Sequence, residues 1–406
     1  MKHLLLTLTV AASTVWADSK PYGDDMAFLK KHTDVIELKD GNAAIAVVPE
    51  YQGRVMTSTA TGPNGVSYGW LNYPLIEQGV LSEENAKGRL ESKIYVFGGE
   101  ERFWLGPEGG QFGIFFAPGS KFDFDAWKTP AAIDTEPFDV VSSSGNEVVF
   151  TRSFTVTNHT GTRFDLKVDR TVRLLNRDAV ESKLGLKLPE GSQSVAYETI
   201  NQLTNTGPTA WSRDTGLLSI WLLGMYKPSP STVMAIPFRK GADLGPTVND
   251  AYFGKISADR LKVGDGVVFF KGDGESRGKI GIPPLRSLGV AGSYSPDLGS
   301  LTLVLYEPPT ETLPYVNSMW ELQKEPYSGD AINAYNDGSP APGEPPLGPF
   351  YELETSSPAA ALKPGESLTH RQTTVHFSGS AANLDPVATS KLGVSIEQIT
   401  QAFRDE

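Results

Sequence analysis

An all-β fold is what this sequence predicts, and three observations carry the prediction. Glycine and proline number 41 and 29 in 406 residues, as many tight turns between strands require. Short β-type runs recur from Val35 to Leu38, Ala43 to Val48 and Arg54 to Thr59, parted by Asp-Gly and Gln-Gly turns. The third is a long hairpin from Glu147 to Leu175. Phe150, Phe154 and Val156 alternate with polar residues, Asn158 to Thr162 turn the chain, and Phe164, Leu166, Val168, Val172 and Leu174 resume the alternation.

The N-terminus, Met1 to Ala17, has a basic start, an apolar middle and small residues before a cut near Ala17. It reads as a secretory signal peptide, too short to span a bilayer, and the mature protein is expected to be secreted or periplasmic. Residues 18–379 are expected to form one β domain and 380–406 a helical tail packed on it. A net charge of −12 without long acidic blocks argues against nucleic acid and anionic membranes as partners. With no cysteine there is no disulfide, no thiolate metal site and no lipid attachment through that residue. Neither a cofactor motif nor a metal motif stands out, and the oligomeric state is not legible.

In chain order, Asp24 to Lys31 suits a short helix, acids first and lysines last. Gly98 to Phe116 brackets charged and aromatic groups between two glycine pairs, where the backbone can bend tightly or approach a ligand. Glu101, Arg102, Trp104 and Glu108 are the side chains there able to grip hydroxyls; the structural alternative pairs Arg102 with an acid and puts Trp104 in the core. Arg152 and Arg170 fall on the apolar face of the hairpin, where a guanidinium needs an acid or a ligand. Ser194 to Asn205 is a strand running into a turn, with Glu198 and Asn201 as hydroxyl binders or backbone partners. Gly216 to Met225, Thr232 to Phe238, Val267 to Lys271, Ser287 to Tyr294 and Leu301 to Tyr306 read as further strands. Asn317 to Gln323 carries amides and Trp320. Asp330 to Gly338 reads as turn chemistry, with a hard cation on Asp330, Asn333 and Asp337 as the alternative, and the proline-rich 339–349 as a surface connection. From Phe350 to Thr355 the period of two puts Glu352 and Glu354 on one face of a strand. Two acids so placed repel unless they meet a cation, water or a hydroxyl-rich ligand. Val387 to Phe403 closes the chain as a helix.

Leu353-Glu354-Thr355, Leu362-Lys-Pro-Gly-Glu366 and a last strand ending Thr374-Val-His-Phe377 resemble the C-terminal signature of the galactose mutarotase-like (aldose 1-epimerase-like) superfamily. The chain as a whole also resembles a secreted bacterial family of unknown function. The resemblance implies a galactose mutarotase-like β-supersandwich with short N- and C-terminal helices, a carbohydrate ligand, Glu354 as catalytic base and the Gly98 to Phe116 segment as a pocket wall. It departs at Leu203-Thr204-Asn205, where Thr206 stands in place of the family's acid histidine. An acid must then come from Glu101, Glu108 or Glu352 with a pKa raised by burial. The expected site is Glu354 and Glu101 as catalytic pair with Arg102, Trp104, Glu108, Arg152, Asn201, Trp320 and Glu352 as substrate binders. Sugar epimerisation stands first, with a non-catalytic glycan binder, or a polysaccharide lyase or glycoside hydrolase, as alternatives.

Overall fold

A computed structural model describes residues 20–308, 312–340 and 343–404; the leader expected at 1–17 lies outside them. The first helix, α1 (Tyr22–His32), is followed by a meander of β1 (Ile36–Asp40), β2 (Ala43–Val48) and β3 (Arg54–Thr59). Helices α2 (Tyr73–Gln78) and α3 (Glu83–Ala86) precede β4 (Arg102–Gly106). Strands β5 (Asp139–Ser143), β6 (Glu147–Thr157) and β7 (Arg163–Leu175), helix α4 (Arg177–Leu184) and strands β8 (Gln193–Asn205), β9 (Ser219–Tyr226) and β10 (Val233–Pro237) form the middle of the chain. There follow β11 (Leu261–Val263), β12 (Val267–Lys271), β13 (Gly278–Ile282), β14 (Val290–Ser295), β15 (Ser300–Tyr306), β16 (Ile332–Asn336), β17 (Tyr351–Ser356) and β18 (Ser367–Ser378), then helices α5 (Ala381–Leu392) and α6 (Ile396–Gln401).

Two antiparallel sheets make the sandwich that the sequence predicts. The larger has ten strands in the order β11-β12-β10-β14-β15-β18-β8-β7-β6-β5, the smaller five in the order β13-β16-β17-β9-β4. Alternation decides what each strand of the smaller sheet offers to either side. Phe103 and Leu105 of β4 and Ile220 and Leu222 of β9 pack inward against Phe150, Leu166 and Val168 of the larger sheet. Leu353 of β17 packs inward with Val304 and Ala291. The residues between them, Arg102, Trp104, Trp221, Leu223 and Glu352, line a recess on the opposite face.

Charges are also buried between the sheets. Arg170, fully buried on β7, donates to Glu101 Oε1 (2.9 Å), Asn201 Oδ1 (2.6 Å) and the Gly53 carbonyl (3.2 Å), while Gln372 donates to Glu101 Oε2 (2.8 Å). Gln372 in turn accepts from Thr355, whose hydroxyl also meets His370 Nε2 at 2.8 Å. Burial lowers the His370 pKa from 6.5 to about 4. The unfolded chain therefore takes up this proton first, so His370's contribution is intact above pH 6.5 and is lost as pH falls through 4, at a cost approaching about 3 kcal/mol. A His370→Gln variant should accordingly lose less stability than the wild type between pH 7 and pH 4, read from denaturant midpoints.

The sequence reading misses one element at the site and merges two helices away from it. Within Asp330 to Gly338, read as a turn, Ile332 to Asn336 is a strand: the Asn333 side chain donates to the Ile280 carbonyl (3.1 Å) and that of Asn336 to the Ser276 carbonyl (2.9 Å). Turn-type residues sit in β16 because their amides stitch neighbouring segments. Asp330 and Asp337 flank this extended segment, about 20 Å of chain apart, and accept from Tyr252 and Asn249 at one end and from Tyr335 and Gly348 at the other. They do not converge on one cation. The C-terminal helix is two helices: α5 starts earlier, capped by Ser380, and ends at Gly393 (φ +71°), after which Ser395 and Gln398 form a capping box that starts α6. Leu384, Val387, Leu392, Ile396 and Ile399 cover the outer face of the larger sheet.

Candidate active site

Strand register builds the floor of the site. Trp104 lies opposite Trp221, and Arg102 opposite Leu223, which faces Glu354 and then Asn333. In the next row Met225 faces Glu352, Tyr335 and Lys279. The glycine pair leading into β4 is required there: Gly98 and Gly99 have φ of +91° and +108°, and a Cβ on Gly98 would lie 2.1 Å from the Trp70 carbonyl oxygen. Above the floor, the segment around Gln111 is tied to Gln323 by two hydrogen bonds of 2.9 Å, and the Glu108 N–H donates to Ser318 Oγ at 3.1 Å.

These segments enclose a cleft of about 640 Å³ that runs into an inner recess of about 100 Å³. Glu108, Arg277, Lys279, Trp320, Phe124 and Phe253 border both. The rings of Phe124 and Phe253 remain 48% and 44% exposed, a wettable apolar rim of the kind that stacks on a flat ligand. The proline-rich segment, expected as a surface connection, supplies Pro345, Pro346 and Leu347 to one wall.

Charges on the floor are paired with some atoms left over. Arg102 Nη2 donates to Glu352 Oε1 at 2.9 Å, joining residues 250 positions apart, and its guanidinium lies 4.0 Å from the Trp104 ring centre. Glu354 Oε2 accepts from Trp221 Nε1 (2.8 Å) and Lys279 Nζ (3.0 Å), while Oε1 is buried without a partner. Burial raises the Glu108 carboxyl above its ordinary range; the Glu354 charge adds to this and the Lys279 ammonium opposes it. Glu352 is raised too, by burial first and then by Glu354 and Asp337, against Arg102 and Lys279. Four carboxyls (Glu108, Glu352, Glu354 and Asp337) thus share three cations, Arg102, Lys279 and Arg277. One acid is driven towards its neutral form.

The expected site residues divide into two groups. Arg102, Trp104, Glu108, Trp320 and Glu352 come together around the cleft. Glu354 lies on the same face of the sheet but is fully covered, beneath Trp221 and Lys279. Glu101 and Asn201 are elsewhere, fully buried with Arg170 between the sheets, and Arg152 forms a part-exposed pair with Glu136 at 3.0 Å on the larger sheet. None of these three borders the cleft. Thr206 donates its backbone N–H to the Asp165 carbonyl in a turn. His370 and His376 point into the sandwich, His376 Nε2 lying 3.0 Å from Glu100 Oε2. Arg277, Lys279, Tyr252 and Phe253 are cleft residues that the sequence reading does not single out. The one signal for the cations is the extended run Arg277-Gly-Lys279-Ile-Gly-Ile, whose period of two puts both on one face.

Fold and cleft define an all-β sandwich with an ionised pocket on the open face of its smaller sheet. The chain belongs to the family of unknown function DUF6786, whose model matches residues 20–403. No curated protein matches it in sequence. Solved structures similar to it include the Slr1438 protein of Synechocystis sp. PCC 6803, at 12% identity over 85% of this chain and 96% of that one, with a TM-score of 0.48. A galactose mutarotase-like protein of Lactobacillus casei is similar at 11% identity over 84% and 100% of the two chains, TM-score 0.45. A galactose mutarotase related enzyme of Lactobacillus acidophilus is similar at 7% identity over 86% and 98%, TM-score 0.45.

Proposed function

We propose that the protein performs acid/base chemistry on a saccharide in this cleft, with Glu354 as base and Glu108 as acid, most simply the interconversion of sugar anomers. The observation that supports this reading is the Glu354 carboxylate itself. One of its oxygens is held by an indole and an ammonium while the other is buried with no donor, an arrangement that costs free energy unless a hydroxyl completes it. Lys279, which donates to Oε2, borders the open cleft and is the group a ligand would displace to reach this carboxylate. Glu354 then takes the anomeric hydroxyl proton as Glu108 gives its own to the ring oxygen. The ring C–O bond breaks, and reclosure on the other face returns both protons.

The test is a screen of sugars and oligosaccharides for binding by thermal shift, followed by NMR of the hits for anomer exchange or bond cleavage. Turnover should fall as pH rises through the raised Glu108 pKa, because the acid must be protonated, and this limb should lie above the ordinary carboxylate range. A rate that is flat there, or that climbs with pH, contradicts the assignment of Glu108. The full covering of Glu354 favours a second reading, a glycan-binding protein without catalysis; hits that bind while neither exchanging nor cleaving would establish it. Absence of any saccharide hit would end both readings.

A further inference from the structure

The cleft has more hydrogen-bond donors without acceptors than the reverse. Arg102 Nε and Nη1, Trp104 Nε1 and Arg277 Nε are buried and unpartnered, whereas the carboxylates that line the cleft leave no such atom among the described residues, and the one nearby, Glu354 Oε1, lies covered beneath the floor. The Trp127 indole is set aside because it faces the Glu108 carboxyl. Part of the Arg102 surplus is taken up by the Trp104 ring beneath its guanidinium. Arg277 differs from the other two cations. Arg102 and Lys279 are each spent on a floor carboxylate, but the Arg277 guanidinium forms no ion pair or hydrogen bond among the described residues. It lies over the Phe253 ring, 4.0 Å from its centre, and borders both the cleft and its inner recess. Asp337 is near enough to feel its charge, yet accepts its hydrogen bonds from Tyr335 (2.8 Å) and the Gly348 N–H (2.9 Å) instead.

Size points the same way as charge. A cleft of 640 Å³ holds about twenty waters at ~30 Å³ each, more than one hexose ring displaces. The rim rings, Phe124 and Phe253, stay part-exposed at the cleft, where a second sugar unit would stack.

From these observations we infer that the ligand is an acidic saccharide of more than one unit, whose oxyanion, a uronate carboxylate or a sulfate ester, is gripped by the Arg277 fork while the adjoining ring lies on Phe253. This rests on the carbohydrate reading above and deepens it. A guanidinium presents paired N–H donors that match either oxyanion, and the contact with Phe253 holds this one at the cleft. The floor acids do not forbid an anion. Glu352 and Glu354 are neutralised by Arg102 and Lys279, and Glu108 is driven towards its neutral form.

Isothermal titration of matched ligands tests this. Trimers of galacturonate, mannuronate and glucuronate are each compared with their methyl esters, and a 6-sulfated galactose disaccharide with its unsulfated form. At least one charged ligand should bind about 10-fold or more tighter than its neutral partner, as a charge-assisted bond implies; which pair shows it identifies the oxyanion. Arg277→Gln should abolish that difference, the charged ligand then binding no tighter than its neutral partner on the same variant, and Arg277→Lys should keep part of it, with thermal midpoints confirming that both variants fold. Neutral ligands binding as well as their charged partners, or the preference surviving in Arg277→Gln, would overturn the inference and leave the carbohydrate reading standing. No binding by any saccharide, charged or neutral, would remove both.

Discussion

Arg170→Met is expected to destabilise the protein by roughly 3–5 kcal/mol, the cost of leaving a buried carboxylate without its counter-charge. Neither Arg170 nor Glu101 has solvent contact, and the guanidinium is shared among Glu101, Asn201 and the Gly53 carbonyl, so no water can replace it. Burial already pushes the Glu101 pKa upward against the opposing Arg170 charge. Without the arginine the carboxyl is expected to protonate, which caps the loss. The double variant Arg170→Met, Glu101→Gln should recover much of the stability, because it removes both charges and keeps Gln372 and Asn201 supplied with neutral partners. Urea midpoints for the two singles and the double give the coupling energy. A single-variant loss below about 1 kcal/mol would mean the pair is not a structural tie. The same measurements separate fold from function: Glu101→Gln should lower stability without changing ligand affinity, since Glu101 borders no part of the cleft.

How far the site could be read from the chain depends on which rule each residue obeys. Glu352 and Glu354 share a face because a strand alternates, and the structure puts both on the cleft side of β17 between the inward Tyr351, Leu353 and Thr355. The same rule separates Glu101 from Arg102. Adjacent residues on an extended segment face opposite ways, so admitting Arg102 to the pocket already sends Glu101 to the other side of the sheet. Taking both as ligands set a local cluster of charged residues above the strand's own periodicity. Arg170 was legible as a buried cation needing an acid, but which acid was not, for Glu101 is 69 positions away and reaches it only through sheet packing. The Arg102 to Glu352 pair spans 250 positions, a separation at which pattern offers no register. β13 and β16 were opaque for a different reason: glycines and asparagines, which weaken a strand's signature, are there because backbones approach closely and amides bridge segments.

On the proposed acid/base reading, Glu354→Gln should lower saccharide turnover by about 10²–10⁴-fold while leaving affinity within a few-fold, the signature of losing a proton acceptor and not a binding contact. The amide keeps the size of the side chain and can still accept from Trp221, so the floor should not collapse. It cannot take a proton. Glu108→Gln should lower the rate by a similar order and also erase the decline of rate with rising pH, because the titrating acid is gone. Lys279→Met separates the two roles. It frees Glu354 from the ammonium that covers it and leaves the carboxylate with one indole donor, so the base becomes easier to reach. The expected result is a decline of rate displaced to higher pH, because the ammonium that opposes the rise of the Glu108 pKa is gone. A Glu354→Gln protein that turns over within about 10-fold of the wild type would place the base elsewhere in the cleft. Among the groups that border it, Asp337 would then be the first to examine, since its pKa is raised to about 6 by burial and it faces the unpaired Arg277.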